Sequence, residues 1–230
     1  MYPDRHIILL GGKRMDSPDT QGAVASKAAG SAVTSETRAQ PDRAAAIREA
    51  ALVEQPKHRR LITSPKHGQI LSALMLPDYR LATPPGHAVL TTTGRKTGKA
   101  RRKVIRAIRQ DDRVYIVQLR PPKPAIQTPL MVAAWVLNIR ANPHVRLKLG
   151  RRTYAAVMRE IDAPAELARA RQIFCEPVHM VDYGESMLHL KGMPSHRKIR
   201  DLHRYWFDTG VPLVAELQPQ ASREDNGDGR

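Results

Sequence analysis

Apolar positions divide the chain into stretches of different order. From residue 1 to 43, Ala, Ser, Thr, Gly, Asp and Lys alternate with neither the strand nor the helix period, and Tyr2 is the one aromatic residue. Such a segment buries too little apolar surface to offset its ordering entropy, and a disordered N-terminal tail is expected. Residues 44–85 read as peripheral helices. Asp42 caps an Ala-rich helix running to about Glu54, and Ser64-Pro65 opens a second helix, Lys66 to Leu76, that Pro77 stops.

Regular patterning begins near Gly86. His87 to Thr93 is apolar and β-branched and reads as a strand, and Gly94 to Gly98 form a glycine-flanked turn. Lys103 to Arg109 form a second strand, and Gln110-Asp111-Asp112 turns into a third, Arg113 to Leu119, with Val114, Ile116 and Gln118 on one face. Pro121, Pro122, Pro124 and Pro129 predict a stiff loop without regular structure. Leu130 to Ala141 reads as a buried helix ended by Asn142-Pro143. Val145 to Leu149 and Arg152 to Ile161 form a hairpin around Gly150-Arg151, followed by helices at Ala163 to Phe174 and Arg197 to Phe207 and a closing strand at Val211 to Leu217. Strands mostly antiparallel, with helices inserted between them, predict an α+β barrel or split barrel over residues 86–218 rather than a doubly wound sheet. Residues 219–230 read as a disordered C-terminal tail.

Charge sharpens this picture. Lys and Arg number 38 against 22 Asp and Glu, a formal charge of +16 on 230 residues. A basic surface suits either a polyanion or a small acidic ligand in a local pocket. Aromatic residues are only 4% of the chain, which argues against binding single strands by base stacking. The single Cys175 excludes a disulfide framework and a Cys-rich zinc module. No stretch has the length of a membrane span, so a cytoplasmic protein is expected, with its charge leaving peripheral membrane contact open.

The densest charge lies in Gly94-Arg95-Lys96-Thr97-Gly98-Lys99-Ala100-Arg101-Arg102-Lys103, and no acid occurs between Tyr79 and Gln110. Its two glycines give backbone access and its cations suit phosphate or carboxylate, so it is a candidate anion cradle; a solvated basic hairpin is the alternative. It is not a Walker loop, because Gly94 and Gly98 enclose three residues and Ala100 follows Lys99. The scattered His144, His179, His189, His196 and His203 lack metal-ligand spacing, and Gly184-Glu185-Ser186 lacks the second glycine of a nucleophile elbow.

The run Thr91-Thr92-Thr93-Gly94-Arg95-Lys96-Thr97-Gly98, followed by Trp135-Val136-Leu137-Asn138-Ile139-Arg140-Ala141-Asn142-Pro143, resembles the deazaflavin-dependent nitroreductase and quinone reductase family. The likeness is clearest over Gly86 to Ile161. It implies a split β-barrel of the FMN-binding type that binds coenzyme F420, an 8-hydroxy-5-deazaflavin with a phosphate and an oligoglutamate tail. The resemblance places phosphate and tail on Arg95, Lys96, Thr97 and Arg101, and lines the coenzyme groove with Trp135 and Asn138. Charge and backbone access add Gly98, Lys99 and Arg106 to the cofactor-binding set. The implied reaction is hydride transfer from reduced deazaflavin to a quinone, nitroaromatic or activated alkene, with the proton from water or a nearby hydroxyl.

The chain departs from this family at Leu119-Arg120-Pro121-Pro122, where relatives carry a Ser-Lys-Gly-Gly-like loop. Proline donates no backbone N–H, which leaves Arg120 to place a guanidinium at the coenzyme's pyrimidine edge. Coenzyme binding through the Lys96 and Arg101 end is expected to survive, with nitroreductase turnover of generic substrates slow or absent. The alternatives are the same barrel using FMN or FAD, and a non-catalytic basic protein binding a cofactor or nucleic acid.

Overall fold

Residues 41–59 and 65–219 are described by a computed structural model, and six strands within them close into a β-barrel in the order β1-β2-β3-β6-β5-β4. From Arg43 onward the described residues form one compact unit. The expected N-terminal tail up to residue 40, the cap at Ser64 and the C-terminal tail from residue 220 lie outside the described residues. Helix α1 covers residues 41–54 and runs into a short 3-10 turn, Gln55–Lys57. Helix α2, Pro65–Tyr79, runs past Pro77 rather than stopping before it. Pro77 sits in the last turn, where the missing N–H removes a bond only at the helix end.

The strands are β1 (His87–Thr93), β2 (Ala100–Gln110), β3 (Arg113–Gln118), β4 (His144–Leu149), β5 (Arg152–Glu160) and β6 (Val211–Leu217). Every pairing is antiparallel. The fold is thus α+β, an antiparallel barrel with flanking helices, as the patterning predicts. Its turns take left-handed residues where needed: Asp111 has φ 55° between β2 and β3, and Gly150 has φ 60° between β4 and β5.

Alternation along each strand separates two environments. Ala88, Leu90, Ile105, Ala107, Val114, Ile116, Leu147, Met158 and Leu213 point inward and fill the barrel. Ile108, Tyr115, Val117 and Val214 point outward beneath two helices, α5 (Pro164–Cys175) and α7 (His196–Thr209), meeting Phe174 and Phe207. Pro164 opens α5 at a position that needs no N–H, and Ser195 caps α7 by accepting from the Lys198 N–H at 3.3 Å. Between them lies α6, Met180–His189, capped reciprocally by His179 and Asp182.

Two elements differ from expectation. The proline-rich segment expected to be irregular contains α3, Pro122–Gln127, because Pro122 and Pro124 both fall in the first turn, where no intrahelical N–H bond is required. The helix expected from Leu130 begins only at Ala134 (α4, Ala134–Ala141). Its would-be first turn is held open by β3: Gln118 Nε2 and Arg120 Nη2 each donate to the Met131 carbonyl at 3.1 Å, and Gln118 Oε1 accepts from the Ala133 N–H at 2.8 Å. No helix among the described residues is long and apolar enough to cross a membrane.

Candidate cofactor-binding site

The basic run occupies one mouth of the barrel. Its turn closes through Gly94 N–H to the Lys99 carbonyl at 2.9 Å and Gly98 N–H to the Gly94 carbonyl at 2.7 Å. Gly98 has φ 65°, a conformation costly for other residues. A Cβ on Gly94 would stand 3.1 Å from both the Lys99 carbonyl oxygen and Thr97 Oγ1. Ala100, Arg101 and Arg102 belong to β2 rather than to the turn, so the strand begins earlier than the expected Lys103. This extension gives Arg101 a definite side: it pairs with Thr92, whose face also carries Leu90 and Ala88.

Asn138 ties turn, strand and helix together. Its Oδ1 accepts from the Arg95 N–H at 3.1 Å, and its Nδ2 donates to Thr92 Oγ1 at 3.2 Å. The side chain is buried at the point where α4 meets the barrel, with Val136 and Ile139 of the same helix in the barrel core. Trp135 is half-buried and packs against that core. At this end of the barrel the turn is pinned to α4 through Asn138, three residues after Trp135 on the same helix.

Arg95, Lys96, Thr97, Gly98, Lys99 and Arg101 are exposed. The ion pairs found among the described residues use none of these cations. The mouth thus concentrates like charge that no carboxylate of the described fold neutralises.

Arg106 requires a correction. Five residues further along β2 than Arg101, it takes the opposite side of the strand and is buried against α6 and α7. Its guanidinium pairs with Asp182 at 2.5 Å, donates to the Pro177 carbonyl at 3.0 Å and reaches His203 Nδ1 at 3.3 Å. Its donors hold the helices to the barrel and do not face the mouth. Arg120 also differs from expectation. Instead of pointing a free guanidinium at a ligand edge, it is buried, donating to the carbonyls of Thr209 at 2.8 Å and Met131 at 3.1 Å.

Lys103 is a residue that the sequence reading did not include among the site residues. It shares the inward parity of Ile105 and Ala107, and burial lowers its ammonium pKa. The signal lay in that parity, two residues beyond Arg101. A cavity of about 430 Å³ opens at the other end of β1, lined in part by Gly86, His87, Arg109, Leu149 and His179, and contains none of the mouth residues.

The family model described as F420H(2)-dependent quinone reductase matches residues 78–186. No curated protein matches the chain. Among solved structures, the F420-H2 dependent reductase FDR-A aligns with 58% of this chain and 94% of its own, at 17% identity and a TM-score of 0.37. A FAD-binding protein from Mesorhizobium loti aligns with 64% of this chain and 91% of its own, at 13% identity and a TM-score of 0.34. The matched segment, Asp78 to Ser186, holds the basic turn, α4 and strands β1 to β5, and over that segment the chain is similar to the F420H(2)-dependent quinone reductases, oxidoreductases named for their cofactor, coenzyme F420.

Proposed function

We propose that the barrel mouth binds reduced coenzyme F420 and that the protein passes its hydride to a quinone or, more broadly, to a nitroaromatic or activated alkene. The observation that carries this reading is the set of exposed cations on Arg95, Lys96, Lys99 and Arg101, which have no acidic partner among the described residues, on a turn pinned to the helix that carries the half-buried Trp135. The donor set fits the coenzyme's chemistry. Forked and mobile cations match a phosphate and a chain of carboxylates, and an indole beside an apolar core offers a flat face to a ring system.

In this reading Lys96, Lys99 and the guanidinium groups of Arg95 and Arg101 hold the anionic end, and the Thr97 hydroxyl adds a neutral hydrogen bond. Asn138 acts through the turn, because its Oδ1 fixes the Arg95 backbone. Trp135 and the inward ends of β1 and β2 would hold the ring and exclude water from it. Lys103, two residues further along the inward face of β2 than Arg101, would add a cation to the same side of the bound coenzyme. The coenzyme, when bound, supplies the hydride. With a proton from water, a quinone acceptor leaves as the hydroquinone.

The test is oxidation of reduced F420 by menadione and by a nitroimidazole, followed by absorbance, with FMN and FAD offered in parallel. Turnover with F420 and menadione is expected. Binding of FMN or FAD in preference to F420 would transfer the site to those cofactors, and binding of none of the three would leave the non-catalytic alternative.

A further inference from the structure

A second group of cations lies on the outside of the barrel, separate from the mouth. In the antiparallel register Thr91 of β1 pairs with Arg102 of β2 on one side and with Arg146 of β4 on the other. One step along, Val89 pairs with Lys148, which itself pairs with Thr153 of β5. These side chains alternate with the inward Leu90 and Leu147, so they share the outer face. Together with Arg80 they line a groove of about 330 Å³. Lys148 Nζ donates to the Arg80 carbonyl at 2.6 Å, which fixes the ammonium at the groove edge.

Arg80, Arg102, Arg146 and Lys148 appear in no ion pair among the described residues. Like charges on neighbouring strand positions repel, and a bound anion removes that cost. Exposed apolar residues adjoin Arg80 in the chain. Arg80 directly follows α2, which packs on β2 through the Val104 N–H to Ser72 Oγ bond of 2.8 Å. Ile70, Leu74 and Leu81 are exposed by 58%, 70% and 82%. Ile70, Leu74 and Asp78 are successive helical steps on α2, with the exposed Asp78, that helix's only carboxylate, at the end next to Arg80.

We propose that this face docks on an anionic phospholipid surface, with headgroup phosphates in the Arg80, Arg102, Arg146 and Lys148 groove and Ile70, Leu74 and Leu81 against the acyl boundary. A soluble phosphate or a nucleic-acid duplex would use the cations but leave the apolar side chains in water. A second copy docking through the same face about a twofold axis would bring cation against cation. Cations beside exposed aliphatic residues match a lipid interface in both respects.

The experiment is co-sedimentation of the full-length chain with vesicles of phosphatidylcholine alone and of phosphatidylcholine mixed with phosphatidylglycerol. Binding is expected to the mixed vesicles only, and to weaken with salt. Arg102→Ala/Arg146→Ala should reduce partitioning roughly thirtyfold, about two surface cations' worth. Leu74→Asp should reduce it further than loss of either cation alone. Arg169→Ala/Arg197→Ala, with the same charge change elsewhere, should partition like the wild type. Thermal melts establish that each variant is folded, and vesicle binding is read without coenzyme, so its failure is distinguishable from failure of the proposed activity. Wild-type partitioning retained by the groove variants would overturn the proposal. So would inorganic pyrophosphate raising the melting temperature where vesicles do not bind, or duplex DNA binding that the groove variants abolish in the absence of vesicle binding.

Discussion

Arg101 and Arg106 stand on the same strand, in the same acid-free stretch of sequence, and meet opposite environments. Arg101 faces the barrel mouth in water with no ion-pair partner, whereas Arg106 is enclosed by α6 and α7 with its charge balanced by Asp182, both side chains of that pair being fully buried. Five residues along a strand reverse the side on which a residue projects. A buried guanidinium needs a counter-charge and acceptors, and the two terminal nitrogens of Arg106 find theirs in Asp182, Pro177 and His203, while its Nε has no partner among the described residues. An exposed cluster of unpaired cations is free to meet a ligand. The difference separates cations that hold the structure from cations available for binding.

The largest effect should come from the buried side. Arg106→Ala leaves the Asp182 carboxylate enclosed without a counter-charge and should cost about 3 to 5 kcal/mol of stability, measured by denaturant unfolding. A loss below about 1 kcal/mol would show that the pair is not the anchor of α6.

Asn138→Ala removes hydrogen bonds to Arg95 and Thr92 and should cost about 2 kcal/mol, read as a lower melting temperature. Because the turn is then unpinned, coenzyme affinity should fall as well. Loss of stability with unchanged affinity would show that the turn needs no brace.

The buried histidines predict an acid-sensitive fold. Burial, reinforced by Arg106, pushes the His203 imidazole down to about 3, and burial, with His189 and Lys57 nearby, pushes His58 down to about 4. Both are neutral when folded, while the unfolded chain binds their protons near pH 6.5. Their contribution is therefore complete above about pH 6.5 and is lost as pH falls toward the folded values, by up to about 1.4 kcal/mol per pH unit for each group. Unfolding free energies measured across that window should fall toward acid, and His203→Gln should flatten the limb. An unchanged slope in the variant would remove His203 from the account.

Gly98→Ala should have the smallest effect. No atom lies within 4 Å of the added Cβ, so the φ of 65° alone sets a cost of about 1 kcal/mol. A thermal melt measures it, and a drop several times larger would mean that the turn is packed more tightly than its surroundings show.

The barrel was legible because its strands carry strong local patterns. His87–Thr93 and Val211–Leu217 match the sequence reading at both ends, and the Gly150-Arg151 hairpin falls where its turn residues place it. Less legible were elements set by tertiary partners. Helix α6 mixes Asp182, Gly184, Glu185 and Ser186 with apolar residues, and its buried Asp182 makes sense only beside Arg106. Helix α3 was hidden by prolines that suit its first turn, and the late start of α4 follows from Gln118 and Arg120, whose role as backbone clamps leaves no local trace. At the candidate site, the turn and α4 were readable from residue types, but the outward Arg106 and the inward Lys103 required strand parity carried from Ala107 back to Arg101.

The most direct test is a fluorescence titration of oxidised F420 against the wild type and the Lys96→Ala, Arg101→Ala and double variants, with melting temperatures taken on the same samples. The account predicts roughly ten- to hundredfold weaker binding for each single variant and a larger loss for the double, with melting temperatures unchanged because neither cation has an ion-pair partner among the described residues. Equal affinity in the wild type and the double variant, or a wild type that does not bind F420, would contradict it.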